Sequence, residues 1–93
     1  MVKMNKDEQP ICQINEFGTK HWILDNRYHC LDGPALEYAN GDKLWFLHGE
    51  LHRLDGPAEE YINGYKKWWY HGEQISCSSQ EEFKRLIKLK ALW

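Results

Sequence analysis

The sequence repeats itself with a period of 23 residues. Leu31 to His52 aligns without gaps on Leu54 to Ile75, and 14 of the 22 aligned positions are identical, too many for chance. Leu31-Asp32-Gly33-Pro34-Ala35 returns as Leu54-Asp55-Gly56-Pro57-Ala58. Glu37-Tyr38, Asn40-Gly41, Lys43, Trp45 and His48-Gly49-Glu50 return as Glu60-Tyr61, Asn63-Gly64, Lys66, Trp68 and His71-Gly72-Glu73. A worn copy precedes both, with Gly18, Lys20, Trp22, His29, Leu31 and Asp32 one period ahead of Gly41, Lys43, Trp45, His52, Leu54 and Asp55. A fixed period of this size means stacked structural units, each burying its apolar face against the next.

Asn-Gly between alternating aromatic segments is the strongest local signal for a β-hairpin. Turns are therefore expected at Asn40-Gly41 and Asn63-Gly64, with Phe17-Gly18 a weaker counterpart. The expected strands are Ala35–Ala39 with Asp42–Leu47, Ala58–Ile62 with Tyr65–Tyr70, and Ile11–Glu16 with Thr19–Leu24. A two-residue type I′ turn sets Tyr38 opposite Lys43, Leu36 opposite Trp45, Tyr61 opposite Lys66 and Glu59 opposite Trp68. One face then carries rows of Tyr, Lys and Trp, extended by Lys20 and Trp22.

Gly33-Pro34 and Gly56-Pro57 open each unit, because proline suits a strand entry and not a strand centre. His48-Gly49 and His71-Gly72 make a second turn, and Glu50 to Arg53 reads as an extended link to the next copy. Gly33, Pro34, Tyr38, Asn40, Gly41, Trp45, Gly56, Pro57, Tyr61, Asn63, Gly64 and Trp68 are thus the repeat's structural residues. The tail differs. Ser79-Gln80-Glu81-Glu82 fits a capping box. Phe83, Leu86 and Ile87 follow at helical spacing, so a helix from Gln80 to about Leu92 should cap the array.

The expected fold is mainly β plus one helix: an antiparallel meander of about six strands in three hairpin repeats, with a C-terminal capping α-helix. The expected segments are a flexible N-terminus (1–9), repeats over 10–78 (10–30, 31–53 and 54–77) and the helix over 79–93. In 93 residues the core must be thin. The net charge of -2, with signs interspersed, argues against a general nucleic-acid binder. Residues 1–8 contain no apolar run of the signal-peptide kind, and three cysteines at unrelated repeat positions read as reduced thiols, so a cytoplasmic protein is expected.

Gly-Pro-Ala-x-Glu-Tyr-x-Asn-Gly-x-Lys-x-Trp-x-x-His-Gly-Glu resembles the short tyrosine- and glycine-rich repeats of the MORN type, in the variant form found in small bacterial and phage proteins. The likeness covers roughly Gly18 to Ile75 and departs in the first copy, where Pro10-Ile11 replaces Gly-Pro and Asn15 replaces Tyr. It implies stacked hairpins with a scaffolding or binding role, and an antitoxin-like or anti-defence inhibitor, including the anti-CRISPR kind. The family offers no catalytic residues to carry over.

Binding specificity should lie where the copies differ, which singles out Phe46, Trp69 and Tyr70 as partner-binding residues, with Arg53, Lys84, Arg85 and Lys88 as auxiliary contacts. The expected partner is a protein. A nucleic acid or nucleotide signal read by the Lys and Trp rows is the alternative, and a homodimer through the sheet edge beside Ile11 is a further option. No membrane role, metal, cofactor or catalysis is expected. There is no Cys-x-x-Cys, the histidines lie at repeat-equivalent positions about 10 Å apart, and Glu37 and Glu60 have no feature to split their pKa values.

Overall fold

The computed structural model describes residues 9–91. It is mainly β, with all strands antiparallel and one C-terminal helix. The first copy contributes β1 (Ile11–Ile14), β2 (Lys20–Leu24) and β3 (Arg27–Tyr28). The second contributes β4 (Leu36–Glu37), β5 (Lys43–Leu44), β6 (Phe46–Leu47) and β7 (Glu50–Leu51). The third contributes β8 (Glu59–Glu60), β9 (Lys66–Tyr70) and β10 (Glu73–Ile75), and α1 (Gln80–Ala91) follows. Neighbours run β1-β2-β4-β5-β8-β9-β10, with β3 beside β2 and β6-β7 as a separate pair. The result is a slab 42 × 36 × 16 Å across. Residues 1–8 of the expected flexible N-terminus (1–9) lie outside the described residues, as do Leu92 and Trp93.

The period of the sequence is a period of the hydrogen bonds. Trp22 N–H donates to the Ala35 carbonyl and Trp45 N–H to that of Ala58. His29 N–H donates to the Trp22 carbonyl and His52 N–H to that of Trp45. Tyr38 N–H reaches Asp42 and Tyr61 N–H reaches Tyr65, and the worn copy has the same bond from Asn15 to Thr19.

The hairpin expectation holds in kind and fails in register. Asn40-Gly41 and Asn63-Gly64 are not type I′ turns. Gly41 N–H bonds the Tyr38 carbonyl, Gly41 alone has positive φ (104°), and Asn40 Oδ1 accepts the Asp42 N–H. This is a three-residue loop: a type I turn closed by a left-handed glycine. The extra residue shifts pairing by one and turns every side chain over. Leu36 faces Leu44 and not the expected Trp45, and Lys43 faces Glu37 and not the expected Tyr38. Glu59 likewise faces Lys67 and not the expected Trp68, and Lys66 faces Glu60 and not the expected Tyr61.

The type I′ turns lie elsewhere. Positive φ at both central residues occurs at Asp25-Asn26, His48-Gly49 and His71-Gly72, again one period apart. Each closes a second hairpin, so Glu50-Leu51 is a strand paired back on Phe46-Leu47 and not a simple link. Each copy therefore holds two hairpins, and the expected six strands become ten shorter ones.

The corrected register creates a charge ladder. Lys20 faces Glu37, Glu37 faces Lys43, Lys43 faces Glu60 and Glu60 faces Lys66. These are partners in register, and Glu60 makes its ion pair with Arg53 at 3.4 Å. The Tyr–Lys–Trp rows expected on this face are replaced by alternating Lys and Glu.

The core sits at the C-terminal end, where Phe83 of α1 is wholly buried against Trp68 and Ile75, with Tyr70, Cys77, Leu86 and Ile87 around it. The expected stripe thus caps the last hairpin. Ser79 Oγ accepts the Glu82 N–H as an N-cap does. Glu82 reaches back one residue beyond the expected box, to the N–H and hydroxyl of Ser78. These bonds hold its carboxyl below the usual range. Gln80 locks the junction, accepting the Trp68 indole N–H at 2.8 Å and donating to the Leu54 carbonyl. No described helix is long and apolar enough to cross a membrane.

Candidate binding surface

The aromatics that vary between copies each make a contact within the domain. Phe46 packs on Tyr28 with ring centroids 5.2 Å apart. Tyr70 joins the core and meets His52 and His71. Trp69 donates its indole N–H to Glu59 at 2.6 Å. All three are half-buried.

Glu59 is a buried carboxylate that sequence reasoning passed over. It occupies the position of Leu36, one copy later, and is 7% exposed. A carboxylate survives there because Trp69 and Tyr61 both donate to it. The bond to Glu59 pushes the Tyr61 hydroxyl up to about 12. The signal was in the alignment: Leu36 to Glu59 and Phe46 to Trp69 change together, acceptor with donor.

Arg53 is a bracket in the wall of a cleft. Its guanidinium lies 3.8 Å from the centroid of the Trp45 ring. Nε donates to Asp55 at 2.9 Å, and Nη1 donates to the Pro57 carbonyl and to Glu60. A Cβ on Gly56 would come within 2.8 Å of the guanidinium carbon, so Gly56 makes room for Arg53, whereas Gly33 has nothing near it. Such stacking contributes about 0.5–2 kcal/mol.

The cleft holds about 680 Å³ and lies between the two Leu-Asp-Gly-Pro loops. Trp45, Leu47, Pro34 and His52 line it, with Cys30 and Arg53 at the sides. Leu31 and Leu54 stand on its rims, 80% and 52% exposed, beside Asp32 and Asp55. Their recurrence just before Asp-Gly-Pro was the available signal.

Lys84, Arg85 and Lys88 do come together. They are exposed on α1 around an open groove of about 400 Å³ shared with Glu81 and Ile87. Lys90 instead reaches Glu73 at 2.8 Å.

The histidines act as turn supports. The rings of His29 and His48 pack at a tilt with centroids 4.3 Å apart, and those of His52 and His71 stack at 4.0 Å. The backbone N–H of His48 donates to Nδ1 of His29, and that of His71 to Nδ1 of His52. Each acceptor ring is thereby held with its proton on Nε2. Burial, then the neighbouring imidazole, lowers the pKa of both His29 and His52. Among the described residues no group of three or more His, Cys, Asp or Glu side chains is placed to hold a metal ion. Burial raises the Cys30 and Cys77 thiols, which keeps them protonated at neutral pH and poor nucleophiles.

No family model, curated protein or solved structure matches this chain.

Proposed function

We propose that the protein is a non-catalytic protein-binding module that occludes a protein partner, acting as a small phage or bacterial inhibitor of the anti-defence or antitoxin kind in the cytoplasm. The observation that supports this is the exposure of Leu31 and Leu54 on the rims of the Trp45 cleft. Packing within the repeat does not account for their recurrence, since neither is buried. A partner's apolar side chain would enter between them, over Trp45. Asp32 and Asp55 at the rim would favour a basic neighbour on the partner.

The test is a Leu31→Asp/Leu54→Asp double variant in a binding assay with the partner captured from the host. Burying a leucine contributes about 1.5–3 kcal/mol, so affinity should fall about a hundredfold or more, with an unchanged circular dichroism spectrum. Unchanged affinity refutes the assignment. The alternative, a nucleic-acid or nucleotide-signal binder, is favoured only by the convergence of Lys84, Arg85 and Lys88, because Lys20, Lys43 and Lys66 face glutamates across the strands. Binding that weakens steeply with salt and with charge reversal at those three residues would support it instead.

A further inference from the structure

The first strand leaves a position open that the rest of the fold fills. β4 and β8, its counterparts one and two periods later, are paired on both sides: β4 between β2 and β5, β8 between β5 and β9. Among the described strands β1 is paired only with β2, from Ile11 opposite Ile23 to Ile14 opposite Lys20. All four of its residues are exposed, Ile11 at 62% and Ile14 at 63%, and Phe17 in the adjoining loop is 76% exposed. Ile11-Cys12-Gln13-Ile14 carries no charge. The opposite end of the array has an open edge too, where Lys66 and Lys67 of β9 pair only with β8 among the described strands. Two lysines there oppose strand addition; an uncharged edge with exposed isoleucines invites it.

We propose that β1 pairs with β1 of a second copy of this chain, joining two slabs into one continuous sheet. Antiparallel pairing suits a twofold axis perpendicular to the sheet. Such an axis keeps each residue and its mate on the same face, so it must pass beside a residue and not between two. Centred on Gln13, it sets Cys12 opposite Ile14 of the second copy and Ile14 opposite Cys12 of the second copy. Two cysteines and two isoleucines then gather on the face that also holds Trp22, the strand neighbour of Cys12. The two Cys12 residues lie diagonally, roughly 7–8 Å apart. A four-residue seam is short, which places the dimer in the weak class. It involves neither the cleft nor the helix, so it stands apart from the proposed docking site.

The test is sedimentation equilibrium of the whole chain at about 100 µM, the range where weak interfaces are populated. The expected mass is twice the 11.2 kDa of one chain, falling to one chain in Ile14→Lys with the circular dichroism spectrum retained. In a Cys30→Ser/Cys77→Ser variant, a short bismaleimide should give a covalent dimer through Cys12, the exposed thiol of the three, and none when Cys12 is also Ser. A monomer throughout that range, a dimer that survives Ile14→Lys, or the absence of a Cys12 cross-link overturns the proposal.

Discussion

Replacing Trp69 by Phe should cost far more with Glu59 present than without it. In the wild type the indole N–H is one of two donors that keep a 7% exposed carboxylate in place. A hydrogen bond to a charged group contributes about 1.5–3 kcal/mol, and losing it leaves the carboxylate with Tyr61 as its remaining donor. Trp69→Phe should therefore cost about 1.5–3 kcal/mol. Glu59→Leu removes the acceptor, but it also ends the burial of a charge and installs the residue the second copy uses at Leu36, so its cost should stay within about 2 kcal/mol. The double variant carries the residues that the second copy has at the equivalent positions, Leu36 and Phe46. In it, Trp69→Phe should cost less than about 1 kcal/mol, a coupling of roughly 1–2 kcal/mol. Urea unfolding followed by far-ultraviolet circular dichroism measures all four corners, since the substitution alters tryptophan fluorescence. Costs that agree within about 0.5 kcal/mol in the two backgrounds would refute the account of Glu59.

Two other expectations follow from the turns. His29 and His52 have folded-state pKa values below their ordinary 6.5, so below that pH the unfolded chain binds more protons. Stability should be complete above about pH 6.5 and decline as pH falls through the lowered values; His29→Asn/His52→Asn should flatten that decline in urea titrations between pH 7 and 5, above the window where Glu82 protonates. Gly41→Ala and Gly64→Ala separate strain from collision: both have positive φ, but a Cβ on Gly41 meets Ile62 at 2.8 Å whereas Gly64 faces open space. Thermal melts should show about 1–2 kcal/mol lost at Gly64 and clearly more at Gly41; equal losses would mean that Ile62 yields freely.

The repeat, the presence of hairpins and the packing of the helix were legible because they rest on periodicity, which survives any error of alignment within a copy. Register was not. Asn-Gly is compatible with a two-residue or a three-residue loop, and the choice turns on Asn40 Oδ1 binding the Asp42 N–H, a bond that composition does not announce. One residue of slip hid the Lys–Glu ladder and the burial of Glu59 together. The turns at His48-Gly49 and His71-Gly72 were legible, but not that a histidine there takes positive φ and has its N–H bonded to the imidazole of His29 or His52. In the candidate site, the basic residues of the helix were readable from spacing. The cleft was not, because its walls come from Cys30 to Pro34 and Arg53 to Asp55, brought together only when the units stack.

The bonds that tie Trp22 to Ala35 and Trp45 to Ala58 join successive units in the same way. Nothing in that joint counts how many units there are. A gene that duplicates the segment from Leu31 to Arg53 should yield a longer slab and a second cleft, with the helix still seated on the final unit. Reach along the sheet could then grow in steps of one unit without redesign of the parts.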